Sequence, residues 1–173
     1  LYTAKETYDN VLYIQKQTTT GAPIKRVKKK KKNRYGVVYN NATFFYIQTD
    51  KDAPTGKVLT LPVANPDIAN AKMIIEAKPE VLIASSAGSY IFCSYLKDAV
   101  TKVIQHDTSG KLVREIELPG PGTADGFYAK QEEKETYFTF ASYITPATIY
   151  KLDIASGKSE VYKQSKVQFK PED

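Results

Sequence analysis

Short runs rich in β-branched and aromatic residues, with apolar and polar positions alternating, recur along this chain between Gly, Pro, Asn and Asp. That pattern predicts half-buried strands joined by turns. Residues 66–77 come nearest to a helical period, but not over three turns. The chain therefore reads as all-β.

The runs repeat. Thr43-Phe44-Phe45-Tyr46-Ile47-Gln48-Thr49 is followed by Lys51-Asp52-Ala53-Pro54 and a second strand over 57–63. Residues 89–95, Lys97-Asp98-Ala99 and 102–106 copy that arrangement, as do 136–142, Thr145-Pro146-Ala147 and 148–152. Placing Lys57, Lys102 and Thr148 in register gives spacings of 45 and 46 residues. Asp107-Thr108-Ser109-Gly110-Lys111 returns as Asp153-Ile154-Ala155-Ser156-Gly157-Lys158, a polar turn whose glycine can take positive φ. Fourth strands are predicted over 112–118 and 159–163 for the second and third copies, and a further strand in front of each copy over 35–39, 80–85 and 123–129. Four antiparallel strands at this interval match the period of a β-propeller blade. A sandwich has no reason to repeat a turn at that interval. The expected fold is about three four-stranded antiparallel blades of a β-propeller.

Composition changes the picture only locally. With 173 residues and 42% hydrophobic content the chain can bury a core. No apolar run is long enough for a transmembrane helix, so no membrane partner is expected. The start, Leu1-Tyr2-Thr3-Ala4, shows no basic-then-apolar leader. The net charge of +6 comes from one stretch, Lys25-Arg26-Val27-Lys28-Lys29-Lys30-Lys31-Lys32, holding seven of the 25 basic residues. Without it the remainder is close to neutral. The stretch reads as a solvated, mobile loop and not as a nucleic-acid groove, which would spread its charge and interleave aromatics.

The residues after Arg34 resemble a known family. Ala53-Pro54 before a lysine-led strand, Tyr95-Leu96-Lys97-Asp98-Ala99, Leu118-Pro119-Gly120-Pro121-Gly122 and above all Phe138-Thr139-Phe140-Ala141-Ser142-Tyr143-Ile144-Thr145-Pro146-Ala147-Thr148-Ile149-Tyr150 are similar, in order and spacing, to the last propeller blades of the prolyl oligopeptidase family. Val167-Gln168-Phe169-Lys170-Pro171-Glu172-Asp173 resembles that family's link into its α/β-hydrolase domain. The resemblance implies blades at about 34–78, 79–119 and 120–166, a link over 167–173, and an unassigned segment 1–33 that could belong to an earlier blade. It further implies a parent peptidase that cuts short peptides after proline with a Ser-Asp-His triad in its hydrolase domain, using no metal or cofactor. The implied partners are that hydrolase domain and short proline-containing peptides. A propeller-type interaction scaffold without an enzyme is the competing reading.

The chain itself is not expected to hold a catalytic site. No Gly-x-Ser-x-Gly occurs, and Gly88-Ser89 precedes a strand. The single histidine, His106, aligns with Leu61 and Leu152 and reads as a packing residue. The single cysteine, Cys93, sits in an apolar strand and also reads as core. One free thiol suits a cytoplasm or a periplasm equally. Residues 120–126 read as a connector between blades, and Glu132-Glu133-Lys134-Glu135 as a solvated turn. What remains is gating: inner strands of blades line a central channel, and period-two alternation nominates Tyr35, Val37, Val81, Ile83, Asp125 and Phe127. Three blades cannot close the ring of the seven-bladed β-propeller that the resemblance implies, so self-association through the open end blades is also expected.

Overall fold

The computed structural model describes residues 2–5, 10–15, 22–27 and 33–164. Their backbone forms one three-stranded and three four-stranded sheets, each built in chain order. The first holds β1 (Tyr2–Lys5), β2 (Asn10–Ile14) and β3 (Lys25–Arg26). The second holds β4 (Tyr35–Asn40), β5 (Phe44–Thr49), β6 (Lys57–Pro62) and β7 (Lys72–Ile75). The third runs through β8 (Leu82–Ala87), β9 (Tyr90–Lys97), β10 (Val100–His106) and β11 (Leu112–Ile116). The fourth comprises β12 (Thr123–Tyr128), β13 (Glu135–Ala141), β14 (Thr148–Asp153) and β15 (Ser159–Gln164). Neighbouring strands pair antiparallel, so each four-stranded sheet is the meander that a blade requires.

The chain divides into two compact units, Leu1–Ala84 and Ser85–Asp173. In the first, Leu12, Val27, Tyr35, Ile47 and Leu61 form one buried cluster. Segment 1–33, which sequence reasoning leaves unassigned, thus supplies a sheet and two residues of this cluster. Lys25 and Arg26 are exposed but belong to β3 and not to a loop, because Val27 beside them is buried and donates its amide to Leu12 O at 2.9 Å. Lys28–Lys32 lie outside the described residues, as does 167–173.

In the second unit Ala87, Phe92, Val103, Ile116, Ala124, Phe127, Phe138, Phe140, Leu152 and Ile154 share a core. Four rings run through it in sequence: Phe92 on Phe127 at 5.7 Å between centroids, Phe127 on Phe138 at 4.8 Å, and Phe138 on Tyr150 at 5.2 Å. Side chains from both sheets of this unit meet there, which is how a blade buries a face that it cannot cover alone.

Residues 66–77 form a single 3₁₀ turn, Ile68–Asn70, capped by the Asp67 carboxylate, and then β7. β7 is the fourth strand of its sheet and escaped the sequence reading. With only four residues at a sheet edge, Lys-Met-Ile-Ile has too little length to display an alternation.

The repeated aspartate turns share their bonds. Asp107 Oδ1 accepts from Ser109 N at 2.8 Å and Lys111 N at 3.1 Å, and Asp153 Oδ1 accepts from Ser156 N at 2.7 Å. The Ser109 side-chain bond first, and then its backbone bond, hold the Asp107 carboxyl below its ordinary pKa; Ser156 does the same for Asp153. Gly110 and Gly157 close the two turns at φ 88° and 72°.

The β9–β10 hairpin has a two-residue turn, since Lys97 pairs with Val100. Asp98 and Ala99 both take positive φ, 50° and 59°, the geometry in which Asp-Gly is preferred. Ala99→Gly is therefore expected to stabilise the protein by about 0.5–1 kcal/mol, the relief of left-handed strain less the added chain entropy. An unchanged or lower urea midpoint would count against that geometry.

Candidate functional site

The side chains with catalytic potential are built into the sheets. His106 is buried in β10, with Nδ1 2.9 Å from Gly110 O, and its aligned counterparts Leu61 and Leu152 are buried as well. Cys93 is buried in β9. Glu135 opens β13 and pairs with Lys151 at 3.4 Å across to β14. Among the described residues no three His, Cys, Asp or Glu side chains gather where a cation could bind.

The surface that remains is the first strand of each four-stranded sheet: β4, β8 and β12 stand at a sheet edge. Val37, Ile83 and Asp125 are exposed there, as is Val81 just before β8. Tyr35 and Phe127 are not: Tyr35 is 2% exposed in the core of the first unit, and Phe127 is 0% exposed in the ring stack of the second. Neither has surface to offer a channel. In β12 the alternation fails because the β12–β13 register shifts between Gly126 and Tyr128: the bulge inserts one residue, so positions on its two sides no longer share a face. The inserted residue is Phe127 itself, at φ 66°. Tyr35 and Val37 both precede the register shift of β4, which falls between Val37 and Tyr39, so no bulge separates them; Tyr35, at the start of β4, packs instead into the cluster of Leu12, Val27, Ile47 and Leu61.

Side-chain amides hold these inner strands in place. Asn10 Nδ2 donates to Tyr35 O at 2.7 Å, and Tyr35 N donates to Asn10 Oδ1 at 2.7 Å. Gln48 Nε2 donates to Leu82 O at 2.6 Å, and Ala84 N donates to Gln48 Oε1 at 2.9 Å. One primary amide presents a donor and an acceptor side by side, as a neighbouring strand would, and so satisfies the edge of β4 or β8 from another sheet. In the second unit Gln105 Nε2 donates to Ile154 O at 2.8 Å, and Ala124 N of β12 donates to Thr101 Oγ1 at 3.0 Å. Sequence reasoning missed these residues. Their signal was a lone amide within an apolar strand, as in Phe44-Phe45-Tyr46-Ile47-Gln48.

Beside the Gln48 contacts the first unit has a cleft of about 460 Å³, lined among others by Arg34, Asp50, Thr55, Val81 and Ile83. Arg34 Nε donates to Asp50 Oδ2 at 2.9 Å and Arg34 N to Asp50 Oδ1 at 2.8 Å. Burial raises the Asp50 pKa, but the bonds and charge of Arg34 outweigh it and hold the carboxyl below its ordinary value. The cleft joins an internally balanced ion pair to two exposed aliphatic side chains. It contains no nucleophile beside a base, and its chemistry is that of a contact surface.

Residues 1–165 match the sequence model of a family described as prolyl oligopeptidase, N-terminal beta-propeller domain. The prolyl endopeptidase of Elizabethkingia miricola is 45% identical over 137 residues, covering 79% of this chain and 19% of that protein. The prolyl endopeptidase of Dictyostelium discoideum is 25% identical over 140 residues, covering 75% of this chain and 18% of that protein. The chain thus spans about a fifth of the length of the curated relatives it matches. A structure from a study of two prolyl endopeptidases superposes with TM-score 0.85 at 29% identity, over 95% of this chain and 24% of that one. Apo prolyl oligopeptidase B from Galerina marginata superposes with TM-score 0.83 over 98% of this chain and 25% of that one; at 19% identity that likeness concerns the fold alone.

Proposed function

Because this chain belongs to the prolyl oligopeptidase family, as β-propeller blades from its N-terminal domain, we propose that it gates the access of short proline-containing peptides to a separate α/β-hydrolase domain that cleaves after proline with a Ser-Asp-His triad. The observation that carries this reading is the exposure of Val37, Ile83 and Asp125 on inner edge strands, with Val81 at the start of one of them. A solvated inner edge is where a channel wall would lie. The amides of Asn10 and Gln48 support the same role, because a wall must keep its position if it is to select by size. Tyr35 and Phe127 act behind that wall, as packing.

The test uses the full-length peptidase carrying Ile83→Trp, which adds bulk at an exposed position without disturbing the core. Passage of a long peptide should suffer more than passage of a short one. The expected result is a roughly tenfold lower kcat/KM for a peptide of thirty or so residues, about 1.4 kcal/mol in barrier, with the value for a blocked dipeptide changed by less than about twofold. Equal losses on both substrates, or none on either, would overturn the gating role.

A further inference from the structure

One wall of the cleft in the first unit is apolar and fixed. Leu82 is buried, and its backbone is held twice: Leu82 N donates to Thr55 O at 2.7 Å, and Leu82 O accepts from Gln48 Nε2 at 2.6 Å. Ala84 N completes the clamp on Gln48 Oε1 at 2.9 Å. Val81 and Ile83 flank Leu82 along the chain and so turn to the opposite side, where both are exposed and line the cleft. Two aliphatic side chains thus meet water in positions that the backbone sets.

The other wall carries Arg34. Its backbone amide and its Nε donate to the two carboxylate oxygens of Asp50 at 2.8 and 2.9 Å, which fixes the guanidinium plane. Among the described residues no acceptor meets its Nη1 or Nη2, and 65% of the side chain is exposed. The end of the fork, with four N–H donors, therefore stays open. A second carboxylate fits that end through two parallel bonds while Asp50 keeps Nε. Asp50 also brings the net charge of the pair to zero. Recognition here rests on hydrogen-bond geometry at contact, not on long-range attraction.

A cleft of about 460 Å³ holds a few residues and not a whole peptide. Its ligand has to present a carboxylate and an apolar side chain close together. The last residue of a peptide does so, because its α-carboxylate and its side chain leave the same Cα. Gly36 also lines the cleft, and a Cβ there would meet nothing within 4 Å, so a peptide backbone can approach β4 unobstructed. The geometry points to a binding site for the free C-terminus of a peptide with an apolar last residue, its carboxylate on the Nη groups of Arg34 and its side chain on Val81 and Ile83. The site rests on the gating reading, and it adds a substrate class, linear peptides with an unblocked carboxyl end. A peptide held by its tail is selected by length as well as by width.

Fluorescence anisotropy with the full-length protein tests the site without relying on cleavage. The probe is a peptide of about eight residues, labelled at its N-terminus, lacking proline and ending in leucine, made as the free acid and as the C-terminal amide. The free acid is expected to bind about tenfold more tightly than the amide. Arg34→Met should abolish that preference, and Arg34→Lys, which keeps the charge but not the fork, should reduce it to about threefold or less. Ile83→Ser should weaken both forms alike, by about threefold. Equal affinities for acid and amide in the parent overturn the inference, as does a preference that survives Arg34→Met. An amidated peptide with an internal glutamate that binds as well as the free acid moves recognition to side chains and overturns it too. The two readings fail apart. Equal losses, or none, in the Ile83→Trp assay defeat gating, whereas size selection that persists beside equal affinities for acid and amide defeats only this site.

Discussion

Phe127→Ala is expected to cost about 3–5 kcal/mol of stability, the range for truncating a buried phenylalanine. Phe127 has no exposed surface and lies between Phe92 and Phe138, so removing its ring interrupts the stack at its centre. The backbone adds a second reason. Phe127 holds φ 66°, a left-handed conformation that costs a non-glycine residue about 1–2 kcal/mol. In the native protein ring burial offsets that strain; the alanine variant keeps the strain and loses the burial. Glycine in a strand is ordinarily worse than alanine, yet here Phe127→Gly should be no less stable than Phe127→Ala, because glycine accepts the conformation freely. Urea midpoints of the two variants measure this. A Phe127→Ala loss under about 1.5 kcal/mol, or a glycine variant clearly below the alanine one, would remove the stack and the bulge from the account.

Much of this fold was legible because strands bury alternate residues and blades repeat. The register of Lys57, Lys102 and Thr148, found from sequence spacing, places each in the third strand of its sheet. The likeness of the two aspartate turns extended to their hydrogen bonds. The misreadings have specific causes. β7 is too short to show a period, and β3 is two residues inside a lysine-rich stretch. Of the positions nominated for a channel, Val37, Val81, Ile83 and Asp125 are exposed, whereas Tyr35 and Phe127 are buried. A bulge leaves almost no compositional trace, and so Phe127 was grouped with Asp125, from which the bulge of β12 separates it. The trace that did exist was Gly126 within an otherwise strand-like run, since glycine inside a strand often marks a bulge. Arg34 and Asp50 were illegible for another reason, and Asn10 and Gln48 showed only as polar residues in apolar runs. Their partners lie far along the chain, and local alternation says nothing about which group a polar side chain will reach.

Gly126→Ala should destabilise the protein by about 3 kcal/mol or more, from a backbone forced out of its allowed region together with overpacking. Gly126 sits at φ 122°, where L side chains rarely go. A Cβ placed there would lie 2.7 Å from Tyr137 O and 2.9 Å from Phe138 Cα. Both are backbone atoms of β13, so neither can rotate away, and relief requires the β12–β13 ladder to part. Gly36 on β4 is the control, because a Cβ there would meet nothing within 4 Å. Gly36→Ala is expected to stay within about 0.5 kcal/mol of the parent. Equal urea midpoints for the two alanine variants would show that the bulge is not held by glycine. The consequence reaches the inner surface, because Gly126 separates exposed Asp125 from buried Phe127. Without the bulge Asp125 and Phe127, two residues apart, would share one face, so either the carboxylate would enter the aromatic stack or the phenyl ring would stand exposed beside it. Neither arrangement keeps this core, and so the glycine that permits the bulge also determines which side chains this strand exposes.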